Sequence, residues 1–530
     1  MALTRPVAYG EHGMVATPHY LASLVALDIL KEGGSAVDAA LGAAAALGSV
    51  LPHMTGIGGD AFWLIHDGAS GRLSGINGSG TAARVADLAA YKGCKEIPAR
   101  GPRAAITVPG AVDSWRLAHD RFGRLPLGRL LAPAIDYAQA GAPVSAGLAA
   151  WIVESAAALG EDAGAAAVFL PGGAALREGR RLAQPQLARS LSLIAQRGPR
   201  AFYDEVGASI ARYLAHRGGL LAAEDFALYR AAWVEPVSVR YRDCTAFQLP
   251  PPSQGLAGLL ILNFLAGLDL AALGDGSSAY FSALIQAIKW AFRKRDTWLT
   301  DPHFLDIPMA ELLDPATASR ERPAALAAIA RKTRSRKTGS DTVFIATADA
   351  EGNAVGLVQS LYFDFGAAVL DPDSGVLLQN RGSFFSLDAA HPNVLAPGKQ
   401  SASTLMAGML FRDGRPYLVH GSQGGEVQPQ TNAALVTRVV DFGLNVQQAI
   451  EAPRLLYGRS WGDSANNLLV ETRKGDDAVA GLVRMGHPAD EVAWPHARMG
   501  TAQAIRLNPA VGGFFEGGAD PRGEGLALGY

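Results

Sequence analysis

The sequence predicts an α+β fold, and three observations carry that expectation. Apolar residues recur at helical spacing through roughly the first 300 residues. The last third breaks into short alternating or wholly apolar runs separated by turns, as strands do. Between the two, residues 316 to 341 are rich in Arg, Lys, Ala, Ser and Thr and end in Gly339-Ser340-Asp341, the composition of an exposed connector.

Leu21, Leu24, Val25 and Ile29 mark a first helix, which Gly33 and Gly34 stop. Ser35 is placed to cap a second, Ala36 to Val50, whose Ala- and Gly-rich apolar run reads as a buried helix. The glycine loop Gly56-Ile57-Gly58-Gly59-Asp60 then leads into an apolar strand, Ala61 to Ile65. The region from about 110 to 300 is mainly helical, most clearly at Ala111 to Phe122, Leu130 to Ala140, Gln186 to Gln196 and Ser278 to Leu299. Beyond the connector, strands are expected at Thr342 to Thr347, Ala354 to Ser360, Gly375 to Leu378, Leu405 to Phe411 and Tyr417 to His420. Glu351-Gly352-Asn353 and Asp413-Gly414 supply turns between them.

Composition excludes several functions. Lys and Arg (47) nearly balance Asp and Glu (49), so no nucleic-acid partner is expected. The one dense basic run, Arg331, Lys332, Arg334, Arg336 and Lys337, reads as a solvated loop. Cys94 and Cys244 are too few for a disulfide framework or a Cys-rich metal site. The histidines show no HExxH or i, i+4 pair, so no metal is implied. Gly398-Lys399-Gln400-Ser401 lacks the upstream glycine of a phosphate loop, and Gly56 to Gly59 precedes a strand instead of opening a helix, so no cofactor is implied either. No secretory signal or apolar span of about 18 residues is evident, which reads as a cytoplasmic protein without a membrane partner.

A longer order of motifs runs through the chain. It includes Gly13-Met14-Val15-Ala16, Gly33 to Ala40, Gly56 to Gly59, Thr342-Val343-Phe344, Glu351 to Val355, Ser360 and Phe365-Gly366. It continues through Gly375 to Asn380, Pro397-Gly398-Lys399, Gly421 to Gly425, Asp441 to Asn445 and Glu451 to Arg454. In this order the chain resembles the γ-glutamyltransferase family. The resemblance implies the N-terminal-nucleophile hydrolase fold, a four-layer αββα sandwich. It further implies a precursor cut between Asp341 and Thr342 into a helix-rich large subunit (1–341) and a strand-rich small subunit (342–530), together forming one compact unit. The processed form would be a heterodimer, with pairing of two heterodimers as a further option.

Chemistry explains a threonine at that position. A hydroxyl is a weak nucleophile and needs a base beside it. Cutting before Thr342 frees an α-amino group on the same residue, titrating near about 7.7–8.0, where a general base is effective. By resemblance, Ser360 stands where the family carries the hydroxyl that orients the nucleophile. Gly424 and Gly425 match the pair whose backbone N–H groups form the oxyanion hole, such donors contributing roughly 3 kcal/mol each.

The departures concern substrate. Ser79 stands where transferases place an arginine for the α-carboxylate, Phe384 replaces the acidic residue that holds the ammonium, and Tyr362 replaces an asparagine. Phe344 replaces a histidine, whereas the hydroxyl platform persists as Ser403-Thr404. Each missing charge-assisted contact costs on the order of 1.5–3 kcal/mol, which argues against a γ-glutamyl group. Arg381, at a position neutral or acidic in transferases, is expected to clamp a different carboxylate, the plain alternative being a surface arginine. The segment from Phe384 to Lys399 is too short for a lid, which favours hydrolysis over transfer. The implied substrate is a small carboxylated amide, with oxamate the specific candidate and binding residues Arg381, Tyr362, Ser403 and Thr404. Glutaryl-cephalosporin acylase and γ-glutamyl transpeptidase activities are the alternatives, and an unprocessed binding homologue is the reading from another class.

Overall fold

Alternation along the strands sets the layers. In the strand Asp341–Asp349, Phe344 and Ala346 join one apolar cluster while Val343 and Ile345 join another, so its two faces are buried in different cores. The computed structural model describes residues 4–327, 341–458, 467–507 and 512–530. The basic run at 331–337 and Gly339-Ser340 lie outside the described residues.

Two seven-stranded sheets stack face to face. Across the first, the strands run Leu526–Gly529, Gly13–Thr17, Asp341–Asp349, Ala354–Tyr362, Asp60–Asp67, Arg72–Gly78 and Ala232–Val234. The second orders Ala8–Gly10, Phe515–Ala519, Ala502–Leu507, Arg415–Ser422, Gly408–Arg412, Cys244–Gln248 and Val237–Tyr241. Every pairing within these two sheets is antiparallel, and both take strands from each side of residue 341. The layer between the sheets holds Met14, Phe62, Leu64, Phe344, Val358, Met409, Val419 and Ile505. Helices Tyr20–Lys31, Ala36–Val50, Ala111–Phe122 and Leu127–Ala140 cover the outer face of the first sheet. Helices Gly255–Leu265, Ser278–Trp298 and Val427–Val440 cover that of the second. The result is the expected αββα sandwich.

Several elements follow the sequence closely. Ser35 caps the helix Ala36–Val50 in a reciprocal capping box with Asp38, and the whole helix is buried, its small side chains allowing close packing. Two expectations need correction, and two regions are more mixed than composition suggested. Gly375 to Leu378 is no strand; Leu377 makes only an isolated bridge with Leu370, between the turn at 372–374 and the short helix Arg381–Phe384. Residues 316–327 of the supposed connector lie in the helix Pro315–Ala327, which seats Ala318 and Ala325 in the core over Gly255–Leu265. The mainly helical middle contains strands Ala232–Val234, Val237–Tyr241 and Cys244–Gln248, and the strand-rich third contains the buried helix Val427–Val440.

Candidate active site

Period-two alternation brings a polar row to the end of the apolar layer between the sheets. Asp60 pairs with Ser360 across neighbouring strands, and Ser360 lies in turn beside Thr342. Thr342, Ser360 and Asp60 share parity with Phe344, Val358 and Phe62, which face the second sheet. Thr342 donates from Oγ1 to Ser360 Oγ at 3.3 Å, and both residues are buried. A register irregularity lies between Asp341 and Val343, so Thr342 sits at a bulge where its strand begins. Ser360 Oγ also accepts from the N–H of Tyr362 at 2.7 Å. Tyr362 holds a φ of 84°, a strained conformation for a side-chain-bearing residue. Gly59 is required beside this row, since a Cβ there would lie 2.3 Å from the Ser360 carbonyl oxygen.

The glycine pair comes from the facing sheet. Strand Arg415–Ser422 ends in Gln423-Gly424-Gly425-Glu426, and helix Val427–Val440 follows. Gly424 and Gly425 hold φ of 123° and 55°, open to glycine at little cost. Their carbonyls turn back into the helix, accepting from Val427 at 2.8 Å and Gln428 at 3.3 Å, so the helix amino end begins at this loop. Phe344 fixes the spacing of the sheets here, because its ring fills the place a side chain on Gly421 would take.

Arg381 is no surface residue; it is 0% exposed. Its Nη1 donates to Thr404 Oγ1 at 3.0 Å, and its guanidinium carbon lies 4.1 Å from the centre of the Tyr362 ring. Its Nε and Nη2, the side-on edge that meets a carboxylate bidentately, have no hydrogen-bond partner. Burial lowers its pKa, opposed by Tyr362 and Asp60. The structure therefore gathers Thr342 with Ser360, and Arg381 with Tyr362 and Thr404. Ser403 is turned to its own loop, its Oγ accepting from Leu405 N at 3.3 Å.

Against this geometry, a family model described as Gamma-glutamyltranspeptidase matches residues 22–530. The chain belongs to the gamma-glutamyltranspeptidase family. It is 44% identical to a glutathione hydrolase-like YwrD proenzyme of Bacillus subtilis (strain 168), over 98% of this chain and 99% of that one. It is 41% identical to an oxamate amidohydrolase proenzyme of Klebsiella pneumoniae, over 98% of both. The crystal structure of cephalosporin acylase from Bacillus halodurans superposes with a TM-score of 0.91 at 36% identity, covering 100% of this chain and 98% of that one. As a member of a family of proenzyme hydrolases, the protein is an amide-hydrolysing enzyme. No helix among the described residues is long and apolar enough to cross a membrane.

In this gamma-glutamyltranspeptidase-family chain, two residues without a role in the sequence reading complete the site. Gln254, buried at the start of helix Gly255–Leu265, donates from Nε2 to the carbonyls of Thr404 (2.6 Å) and Gly425 (2.8 Å). One amide thus ties the Arg381-bearing cluster to the glycine loop. Arg295 extends the brace, pairing with Glu426 at 2.9 Å. The second residue is Asp60, whose Oδ1 accepts from Gly80 N (2.9 Å), Gly110 N (3.3 Å) and Gln379 Nε2 (2.8 Å). Burial pushes its carboxyl up to about 6, only partly offset by Arg381, Gln379 and the two backbone N–H groups. The signal for Asp60 was an acid opening an otherwise apolar strand.

Proposed function

We propose that Thr342 is both the self-cleaving residue and the hydrolytic nucleophile, acting on the amide of a small carboxylated substrate. The observation that carries the substrate reading is the buried Arg381 edge, Nε and Nη2, left without partners. In the precursor the Thr342 hydroxyl, oriented by Ser360, attacks the Asp341 carbonyl and forms an ester that water opens. The product is two subunits, 1–341 and 342–530, held together because both sheets interleave their strands. The freed amine of Thr342 then takes the hydroxyl proton as the oxygen attacks the substrate amide. The N–H groups of Gly424 and Gly425 stabilise the oxyanion, and the amine leaves protonated. Water repeats the sequence on the acyl-enzyme and releases the acid. The Arg381 edge takes the substrate carboxylate while Tyr362 and Thr404 hold the guanidinium in place. Oxamate, giving oxalate and ammonia, is the specific candidate.

One observation favours a second reading, an acyl group with an apolar end. A small cleft lined by Ile97, Phe363, Phe384 and Phe385, together with Glu96 and Ser383, opens beside Tyr362, whose ring lies 5.7 Å from that of Phe384. A larger acyl group, as in acylases, would extend there.

A denaturing gel with an ammonia assay tests both parts. Wild type is expected to resolve into two bands and to release ammonia from oxamate in preference to glutaryl and γ-glutamyl amides. Thr342→Ala is expected to remain one 55.3 kDa band without activity. Two bands from that variant would assign the cut to another protease, and preference for a glutaryl amide would move the substrate to the acylase reading.

A further inference from the structure

The row at the end of the sandwich continues beyond the nucleophile. Ala61 pairs with Gly78, so Ser79, one residue past that strand, extends the line Thr342, Ser360, Asp60. Asp60 and Ser79 are 0% exposed, and neither is satisfied: Asp60 Oδ2 and Ser79 Oγ have no hydrogen-bond partner. Arg381 Nε and Nη2 and Gln379 Oε1 are also unpartnered and buried. Buried polar atoms are ordinarily paired, because leaving one unmade costs about 1–3 kcal/mol. Asp60 and Ser79 lie along the row that holds Thr342 and Ser360, and Gln379 bonds Asp60; together these atoms form a site that a ligand completes.

The two ends of that site have opposite charge. Arg381 and Asp60 influence one another electrostatically, yet no direct ion pair joins them. A purely structural role for Asp60 uses only Oδ1, which already takes three donors. Oδ2 is surplus to it, as Nε and Nη2 are surplus to the Thr404 contact of Arg381. Close backbone packing holds the acceptor end in place: a side chain on Gly80 would meet the Val108 carbonyl oxygen, and one on Gly110 that of Gly78.

We infer that Asp60 is a specificity-determining residue of this site: the acid clamped by Arg381 also carries an N–H donor, an ammonium or amide group, which Asp60 Oδ2 accepts. This rests on the carboxylate reading above and narrows it, since a simple carboxylate or dicarboxylate would leave Asp60 unanswered. The substrate class becomes small acids with a nitrogen a few atoms from the carboxylate. Acids that place a second negative charge near Asp60 are rejected by like-charge repulsion.

The test is calorimetric binding to the processed enzyme at neutral pH. Three matched sets are used: glycine, β-alanine and 4-aminobutyrate; acetate, propionate and butyrate; and the N-trimethyl form of each amino acid. In wild type, one amino acid is expected to bind at least about tenfold more tightly than both its deaminated and its trimethylated partner. Asp60→Asn keeps an oxygen for Gly80, Gly110 and Gln379 but puts an NH2 where Oδ2 was. It is expected to bring the matched partners within about twofold, with a thermal midpoint close to wild type. Arg381→Met is expected to weaken every carboxylate alike. If no amino acid is preferred, or the preference survives in a folded Asp60→Asn, the inference about Asp60 is overturned while the carboxylate reading stands. If Arg381→Met binds all ligands as well as wild type, the carboxylate reading itself falls. Should Asp60→Asn not fold, wild-type discrimination between the amino and trimethylamino acids still decides, because only the former carry N–H.

Discussion

Arg454 and Arg381 are both buried, and their surroundings could hardly differ more. The terminal nitrogens of Arg454 donate to Ile450 O (2.8 Å), Met499 O (3.2 Å), Gly500 O (3.1 Å) and Asp520 Oδ2 (2.6 Å). Beside it, Arg522 joins Asp520 to Glu471 and reaches the carbonyls of Ile450 and Ala452. Among the described residues Arg381 makes one hydrogen bond, to Thr404 at 3.0 Å, and keeps an edge of its fork in reserve. The carboxylates follow suit. Burial alone would raise Asp520, but Arg454, Arg522 and backbone donors outweigh it and hold the carboxyl below its usual range, whereas Asp60 is left pushed up to about 6. A saturated buried charge cluster fastens structure; an unsaturated one stores binding capacity for a ligand.

The largest expected effect comes from breaking the saturated cluster. Asp520→Asn leaves the buried Arg454 without its counter-charge and Arg522 with Glu471 alone, and should lower unfolding free energy by about 3–5 kcal/mol in urea denaturation. Activity should fall with it, because Arg454 holds Gly500, which packs against the Gln423 carbonyl just before the glycine pair. A variant as stable as wild type would show that this network carries no structural load.

Removing the unsaturated arginine should do the reverse. Arg381→Met takes away a charge whose desolvation is not repaid in the free enzyme, so stability should stay within about 1 kcal/mol of wild type or rise. The loss should appear in substrate binding as a KM raised about 10- to 100-fold, equivalent to about 1.5–3 kcal/mol. A marked stability loss with unchanged KM would place Arg381 with Arg454 as a structural residue.

What was legible in the sequence divides along the same line. Thr342, Ser360, Gly424, Gly425 and Arg381 were marked by the resemblance to the family; the structure joins Thr342 to Ser360, and Arg381, through Thr404 and Gln254, to the Gly425 loop. Asp60 and Gln254 were not, because their surroundings depend on partners far away in sequence: Asp60 faces Ser360 only through strand register, and Gln254 reaches Thr404 and Gly425 only once Cys244–Gln248, Gly408–Arg412 and Arg415–Ser422 pair in the second sheet. The helices Ala111–Phe122 and Ser278–Trp298 announced themselves by apolar periodicity, whereas Gly255–Leu265 and Val427–Val440 are buried all round and lose the amphipathic signal. In Pro315–Ala327 the core contacts are made by alanines, which composition alone assigns to a surface as readily as to a core.

A pH effect sharpens the contrast because its sign differs between the two carboxylates; for Asp60, a shift from 3.8 to about 6 corresponds to at most about 3 kcal/mol. Asp520 is held below its unfolded value, so its contribution is present above the unfolded pKa and is lost as pH falls through the folded one. Asp60 is raised from 3.8 to about 6, so between those values the folded state binds the extra proton and stability falls as pH rises. The charged and titratable groups facing Asp60 are Arg381, which remains cationic, and Tyr203 and Tyr229, whose burial pushes their phenols well above the ordinary range. Neither tyrosine titrates in this window, which leaves the slope to Asp60. Urea denaturation of wild type and Asp60→Asn from pH 4 to pH 7 isolates it: the variant should gain on wild type as pH rises from about 4 to about 6 and keep a constant margin above that. A constant difference across that range would mean that Asp60 is ionised throughout and already paired, which would move it into the saturated class.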